Sequence, residues 1–210
     1  MGPSRLVDGT ALVLDASSGL NLLGTGRAAE VLRALPHEVL VTDKAAAEIG
    51  RDPITGTPGA VVLSGLATEG LIRLVPLSDP AYDTYLRLVA APSPDGLDDG
   101  EAATLAHAAD AGAVPVLDER KATRIAAGLR VAPPVCSLDL LSHPALAGAL
   151  GASGLADAVH SALHHAKMRV PEGFRSWVLG MIDAERLRGC SSIPKRWLSD
   201  RASTDQQVWE

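Results

Sequence analysis

Four short apolar runs constrain the fold of this chain more than any other feature. They are Ala11-Leu12-Val13-Leu14, Val39-Leu40-Val41, Leu71-Ile72-Arg73-Leu74-Val75 and Ala113-Val114-Pro115-Val116-Leu117. A strand with one wet face alternates apolar and polar residues, whereas these runs do not, as expected of strands covered on both faces. Pro134-Val135-Cys136 is a weaker fifth candidate. Helical patterns fill the intervals, and a repeated strand–helix order calls for parallel pairing with helices on both faces. The expected fold is therefore an α/β, three-layer α/β/α sandwich with a central parallel sheet of four to five strands, plus a C-terminal helical extension.

Start and stop signals place the helices. Thr42 can cap a helix running to Ile49. Ser78 or Asp79 before Pro80 starts another through Val89, and Asp98 or Asp99 precedes Gly100 to Ala111, which Gly112 ends. Gly26 to Leu35, Ala60 to Thr68 and Glu119 to Ala127 complete the set. Strand signals vanish from Ser142, after which Gly154 to Met168 and Glu172 to Leu187 read as two helices broken at Pro171. The expected organisation is an α/β domain over 1–142, a helical extension packed on it over 143–190, and a polar, flexible tail over 191–210.

With 47% hydrophobic residues in 210, the chain can bury an ordinary core, and with 3% aromatics that core must be aliphatic. Cys136 and Cys190 form neither a disulfide framework nor a metal-ligand spacing. The start lacks the basic stretch and apolar run of a leader, and no apolar run approaches the ~20 residues that cross a bilayer. A soluble, cytoplasmic protein with no membrane partner is expected. The net charge of −6 is unlike the basic footprint of a nucleic-acid binder. Its distribution is uneven, with 11 Lys and Arg against 18 Asp and Glu in residues 1–150, and 8 against 7 in residues 151–210.

The placement of the acids carries the chemistry. Asp15 follows the first run and Asp118 the fourth, and in a parallel sheet the carboxyl ends of the strands form the ligand crevice. Glu48 falls in the last turn of its helix, where a carboxylate is electrostatically disfavoured, so it has a purpose other than local stability. Glu101 falls in the first turn of the helix before the fourth run, behind Asp98 and Asp99. Such a set suits one or two Mg2+ or Mn2+ ions, which take oxygen ligands and can neutralise a phosphodiester while activating water. Each acid also has a plainer reading. Asp15 and Asp118 can cap the helices that follow them, Glu101 can be a dipole-paired charge, Glu48 a solvated surface residue, and Asp98 and Asp99 a loop and a cap.

These segments together resemble a known family. Val13-Leu14-Asp15-Ala16-Ser17-Ser18-Gly19-Leu20-Asn21-Leu22-Leu23 is similar to the opening of a PIN domain, and Ala47-Glu48-Ile49 to that family's second acidic position. Leu97-Asp98-Asp99-Gly100-Glu101-Ala102-Ala103-Thr104-Leu105-Ala106 resembles a branch with Gly-Glu-Ala where many members have Asp-Ala. Val116-Leu117-Asp118-Glu119-Arg120-Lys121-Ala122-Thr123-Arg124-Ile125-Ala126 is like that branch's fourth motif. The resemblance covers about residues 11–142. It implies a PIN-type, Mg2+- or Mn2+-dependent endoribonuclease with Asp15, Glu48, Glu101 and Asp118 as metal-holding catalytic acids, Asp99 in a supporting metal role and Ser17 beside the first Asp. It also implies an RNA substrate, a toxin's place in a type II toxin–antitoxin pair with a protein antitoxin as partner, and a homodimer. Two alternatives stay open: a catalytically weak module that binds RNA or a protein partner, and a structure-specific DNA nuclease using the same metal chemistry. Glu101 and the helices beyond 150 depart from the family's commoner pattern.

Other signals say less. Gly19, Gly24 and Gly26 do not match a dinucleotide loop, and Ser17 stands where a dehalogenase-like phosphatase has a second Asp. His160 and His164 can share a helix face but lack a third ligand of the needed type, and with His165 they read as an ordinary helix face. Arg120 and Arg124 share a face near the acids, where they can contact phosphate or simply meet solvent. Lys167, Arg169, Arg175, Arg186 and Arg188 can add backbone contacts that the acidic part of the chain cannot.

Overall fold

In a computed structural model, residues 5–198 are described. The four apolar runs form β1 (Leu12–Leu14), β2 (Val39–Thr42), β3 (Arg73–Val75) and β4 (Val114–Val116). They pair entirely in parallel, in the order β3-β2-β1-β4. Leu14 aligns with Val41 on one side and Val116 on the other, so Asp15 leaves the sheet at its carboxyl edge. The weak fifth candidate contributes a single bridge, Val116 to Val135, beyond β4. Pro134 lacks the N–H that a longer ladder there would use.

Both faces are covered at β1 and β2, as their unbroken apolar runs require, whereas edge strand β3 departs from that expectation and leaves Arg73 and Leu74 exposed. Leu12, Leu14, Val39, Val41 and Val116 join one buried cluster, and Val13 and Leu40 join another on the opposite side. The helices are α1 (Ala16–Gly24), α2 (Ala28–Ala34), α3 (Asp43–Glu48), α4 (Gly59–Thr68), α5 (Asp79–Val89), α6 (Asp99–Ala111), α7 (Arg120–Ala126), α8 (Ser137–Leu141), α9 (Pro144–His165), α10 (Arg175–Met181) and α11 (Ala184–Arg188). Thr42, Ser78 and Asp98 cap α3, α5 and α6 through their side chains. Gly112 ends α6 in the left-handed region, at φ 65°.

The C-terminal helices differ from expectation in extent. α9 begins ten residues before the expected Gly154, at Pro144, and carries a break at Gly151 (φ 68°, ψ 169°). The segment expected as one helix from Glu172 to Leu187 is a 3-10 turn at Glu172–Phe174 followed by α10 and α11. Extended backbone at Ile182 and Asp183 separates the last two. α9 packs on α1 and α2. Leu155, Val159, Leu163, Val178 and Leu187 sit in the same cluster as the strands, so the extension completes the main core. Within the first part of the expected polar tail, Ile193 and Trp197 are buried in that core, where their apolar side chains leave water. The rest of that expectation, residues 199–210, lies outside the described residues.

The segment before β1 is also anchored. Arg5 forms a two-pronged contact with the fully buried carboxylate of Asp139, at 3.1 and 2.7 Å. No helix among the described residues is long and apolar enough to cross a membrane.

Candidate active site

Asp15 caps α1. Its Oδ1 accepts the Ser18 amide at 2.7 Å and its Oδ2 the Ser17 hydroxyl at 2.9 Å. The plain helix-cap reading of Asp15 is thus correct, yet it does not exhaust the residue. Asp15 is 2% exposed, and burial, reinforced by the charge of Asp118, pushes its carboxyl up to about 7 against the pull of the Ser18 and Ser17 bonds.

Asp118 does not cap the next helix. α7 starts from Glu119 with no side-chain cap. The Asp118 carboxylate turns to α1 and α8 instead. Oδ1 accepts the Ser137 amide at 3.0 Å. Oδ2 accepts the Asn21 side-chain amide at 2.8 Å and the Ser137 hydroxyl. Ser18 reaches it as well, its hydroxyl 3.3 Å from Asp118 Oδ2 and 3.1 Å from the Val116 carbonyl. Ser18 therefore ties both aspartates together, amide to one and hydroxyl to the other.

Glu48 reaches the residue beside Glu101 across two helix ends. Glu48 ends α3, but its Oε1 accepts the Gly100 amide at the start of α6, at 2.7 Å. A carboxylate disfavoured by the end of its own helix is stabilised by the amino end of another. Burial pushes the Glu48 carboxyl upward, Asp98 and Asp99 add to this, and the Gly100 bond opposes it. Glu101 is 5% exposed, and its buried Oε2 has no hydrogen-bond partner among the described residues. Burial, then the charge of Asp98, push Glu101 to about 7, while Lys121 partly opposes them.

The pairs close on one another through the backbone. Thr104, one turn beyond Glu101 on α6, donates its hydroxyl to the Leu14 carbonyl at 3.3 Å, directly before Asp15. Gly19 of α1 lies so near α3 that a Cβ there would stand 2.6 Å from Ile49 Cδ1, beside Glu48. The four acids thus share the carboxyl edge around the end of β1. Among the described residues, no three of them bring ligand atoms within 4.8 Å of one another.

Asp99 is placed differently from its companions. It is exposed, and its Oδ1 accepts the Tyr85 hydroxyl of α5 at 2.7 Å, so it borders the acids and is held toward α5. Arg120 and Arg124 line a cavity of about 400 Å³ beside Asp118, with Arg5, Arg169 and Phe174 on its walls. Arg124 is ion-paired there with Asp95 at 2.7 Å. Arg169, from beyond α9, donates to the Asp118 carbonyl at 3.3 Å. His160 reaches the Arg186 carbonyl at 3.2 Å and stacks on His164, as an ordinary helix face does.

The placement of acids at strand ends does not mark Asn21, Ser18 or Ser137. A signal for two of them existed: Ser18 and Asn21 are polar residues one turn apart on a helix that, Ser17 aside, is built of Leu, Ala and Gly. Ser137 carried none, since it reaches Asp118 only after the chain loops past β4.

An oxygen-rich set with a buried, unsatisfied Glu101 oxygen and mutually repelling aspartates fits a hard divalent cation, which removes the repulsion and fills the open coordination. A parallel sheet wrapped by helices, with this set at its carboxyl edge, defines a class of α/β protein whose strand ends can take a hard divalent cation. A family model described as the PIN domain matches residues 11–180, and the chain belongs to that family. The match runs through α9 into α10. PIN domains are generally nucleases that use divalent metals, and nucleic acid is the substrate class they imply. No curated protein and no solved structure matches the chain.

Proposed function

We propose that the protein is a Mg2+- or Mn2+-dependent endoribonuclease. The observation that carries the reading is the buried Oε2 of Glu101, which has no hydrogen-bond partner among the described residues. Asp15, Glu48, Glu101 and Asp118 would hold the ion. When bound, it would supply charge neutralisation at the phosphate and activation of water.

The chain's own groups do the rest. Ser18, Asn21 and Ser137 hold the Asp118 carboxylate in one orientation, and Ser17 does the same for Asp15. The Gly100 amide sets Glu48. Arg120 and Arg169, on the cavity wall, offer charge-assisted donors to the backbone of a bound strand. They supply locally the positive charge that the whole chain lacks. Asp99 steadies the entry to α6 through Tyr85.

The test is cleavage of single-stranded RNA and DNA panels in parallel, with Mn2+ and with chelator. RNA is cut in a metal-dependent way, and Asp15→Asn abolishes the cut while its circular dichroism matches the parent. Cleavage by Asp15→Asn at the parent rate sinks the mechanism, and preference for DNA sinks the RNA assignment. We extend the proposal to a toxin of a type II pair, supported by the Gly100-Glu101-Ala102 and Asp118-Glu119-Arg120-Lys121 motifs. Induced expression then arrests growth, and Asp15→Asn relieves the arrest; equal arrest by both chains overturns the extension.

A further inference from the structure

At the opposite, amino edge of the sheet stands a second donor set of different chemistry. Asp8 precedes β1, His37 precedes β2, and His143 caps α9. One ligand atom from each lies within 4.8 Å of the other two, and this is the one such group among the described residues.

The hydrogen bonds dictate what each ring presents. His37 Nδ1 lies 3.0 Å from the Thr10 carbonyl, which can only accept, so Nδ1 carries the proton and Nε2 keeps its lone pair. That Nε2 is buried and has no partner among the described residues. A ring fixed through one nitrogen by a backbone carbonyl, with the other nitrogen bare, is the usual arrangement of a metal-binding histidine. His143 stands edge-on to it, ring centroids 5.4 Å apart, with Nε2 3.1 Å from Asp8 Oδ1. Asp8 is well exposed and its side chain can turn.

We infer that Asp8, His37 and His143 form a site for a borderline transition cation of the Zn2+ type, which staples the segment before β1 to the entrances of β2 and α9. Two imidazoles and one carboxylate suit Zn2+, whereas the all-oxygen set at the other edge suits Mg2+ or Mn2+. Four-coordinate Zn2+ with bonds of about 2.0–2.1 Å spaces its ligand atoms about 3.3 Å apart. Closing the present spacing takes rotation of Asp8 and a small shift of the rings, and water completes the fourth position. His143 Nε2 gives up its proton contact with Asp8, and the ring proton moves to Nδ1 by exchange with solvent, with no net proton change. The cost is the long 3.3 Å capping contact from the Ala145 amide. The site is remote from the acidic edge and independent of the nuclease reading.

The test uses the full chain without a histidine tag, stripped of metal and titrated with Zn2+ and with Co2+. One equivalent of Co2+ gives the intense visible absorption of a four-coordinate ion, and Zn2+ at a hundredfold excess over Kd raises Tm by about 5–10 °C. Zn2+ also shifts the imidazole 15N resonances of His37 and His143. His37→Gln and Asp8→Asn, at half-buried and exposed positions, lose the absorption and the Tm shift. His143→Asn keeps a helix-capping side chain and loses them too. Asp15→Asn keeps both. Only weak, six-coordinate Co2+ absorption in the parent overturns the proposal, as does an undiminished response in His37→Gln.

Discussion

The Glu48 carboxylate accepts the Gly100 amide at 2.7 Å, and a methyl group on Gly100 would stand 2.3 Å from the other oxygen of that carboxylate. Two acidic motifs about fifty residues apart in sequence are thus interlocked through one missing side chain. Ala in place of Gly inside a helix is ordinarily favourable by roughly 0.5–1 kcal/mol. Gly100→Ala is therefore expected to fold with unchanged or higher Tm and to lose at least tenfold in metal-dependent cleavage, because Glu48 is displaced. Parent-level cleavage by Gly100→Ala would remove Glu48 from the site.

Burial of Asp15 has a measurable effect on stability. Its folded value of about 7 lies above the unfolded one of 3.8, so the native state binds the extra proton between those values. Stability from this group is complete below pH 4 and is lost as pH rises through 7. Asn at the same position keeps an oxygen for the Ser18 amide and carries no charge. Asp15→Asn in chelator is expected to melt higher than the parent at pH 8, by a free energy of up to a few kcal/mol, and to match it near pH 4. Thermal melts at the two pH values decide it, and equal Tm differences at both would refute it.

Cleavage should itself depend on pH. Asp15 and Glu101 both stand at about 7, and both must be ionised to hold a cation. At fixed Mn2+, kcat/KM is expected to rise steeply from pH 6 to 8, approaching a hundredfold between them if both protons must leave. A flat profile over this range would show that neither carboxyl limits the reaction.

Asn21 is a positioning residue. Its amide donates to Asp118 at 2.8 Å and to the Ser137 hydroxyl at 3.2 Å, so it holds a ligand and that ligand's second support. Removal of such outer partners typically costs about 10–100-fold in metal affinity or activity. Asn21→Ala is expected to raise the Mn2+ concentration for half-maximal cleavage by that factor, with partial recovery at saturating Mn2+. A fall in rate with no change in Mn2+ dependence would contradict the role.

Much of the architecture was legible because strands buried on both faces read as unbroken apolar runs, although the third run, with the same look, forms an edge strand exposed at Arg73 and Leu74. Leu12, Val13 and Leu14 read as a covered strand and are one. Thr42, Ser78 and Asp98 announced helix starts because capping is local chemistry. The helices after Pro171 were less legible: short segments such as Ala184–Arg188 depend on the core they dock against rather than on their own periodicity.

By itself, the sequence determined that the chain forms βα units and that Asp15 and Asp118 leave the carboxyl ends of strands in one parallel sheet, since period and the alternation of elements follow from local patterns; that β1 and β4 lie side by side was decided by the tertiary structure. Only the tertiary structure decided that Ser18 joins the two aspartates, that Glu48 rests on the Gly100 amide, and that Asp8, His37 and His143 converge on the other edge. Those contacts join residues from different elements, and their distances depend on how helices seat against the sheet. Packing sets that seating, and no short stretch of sequence records it.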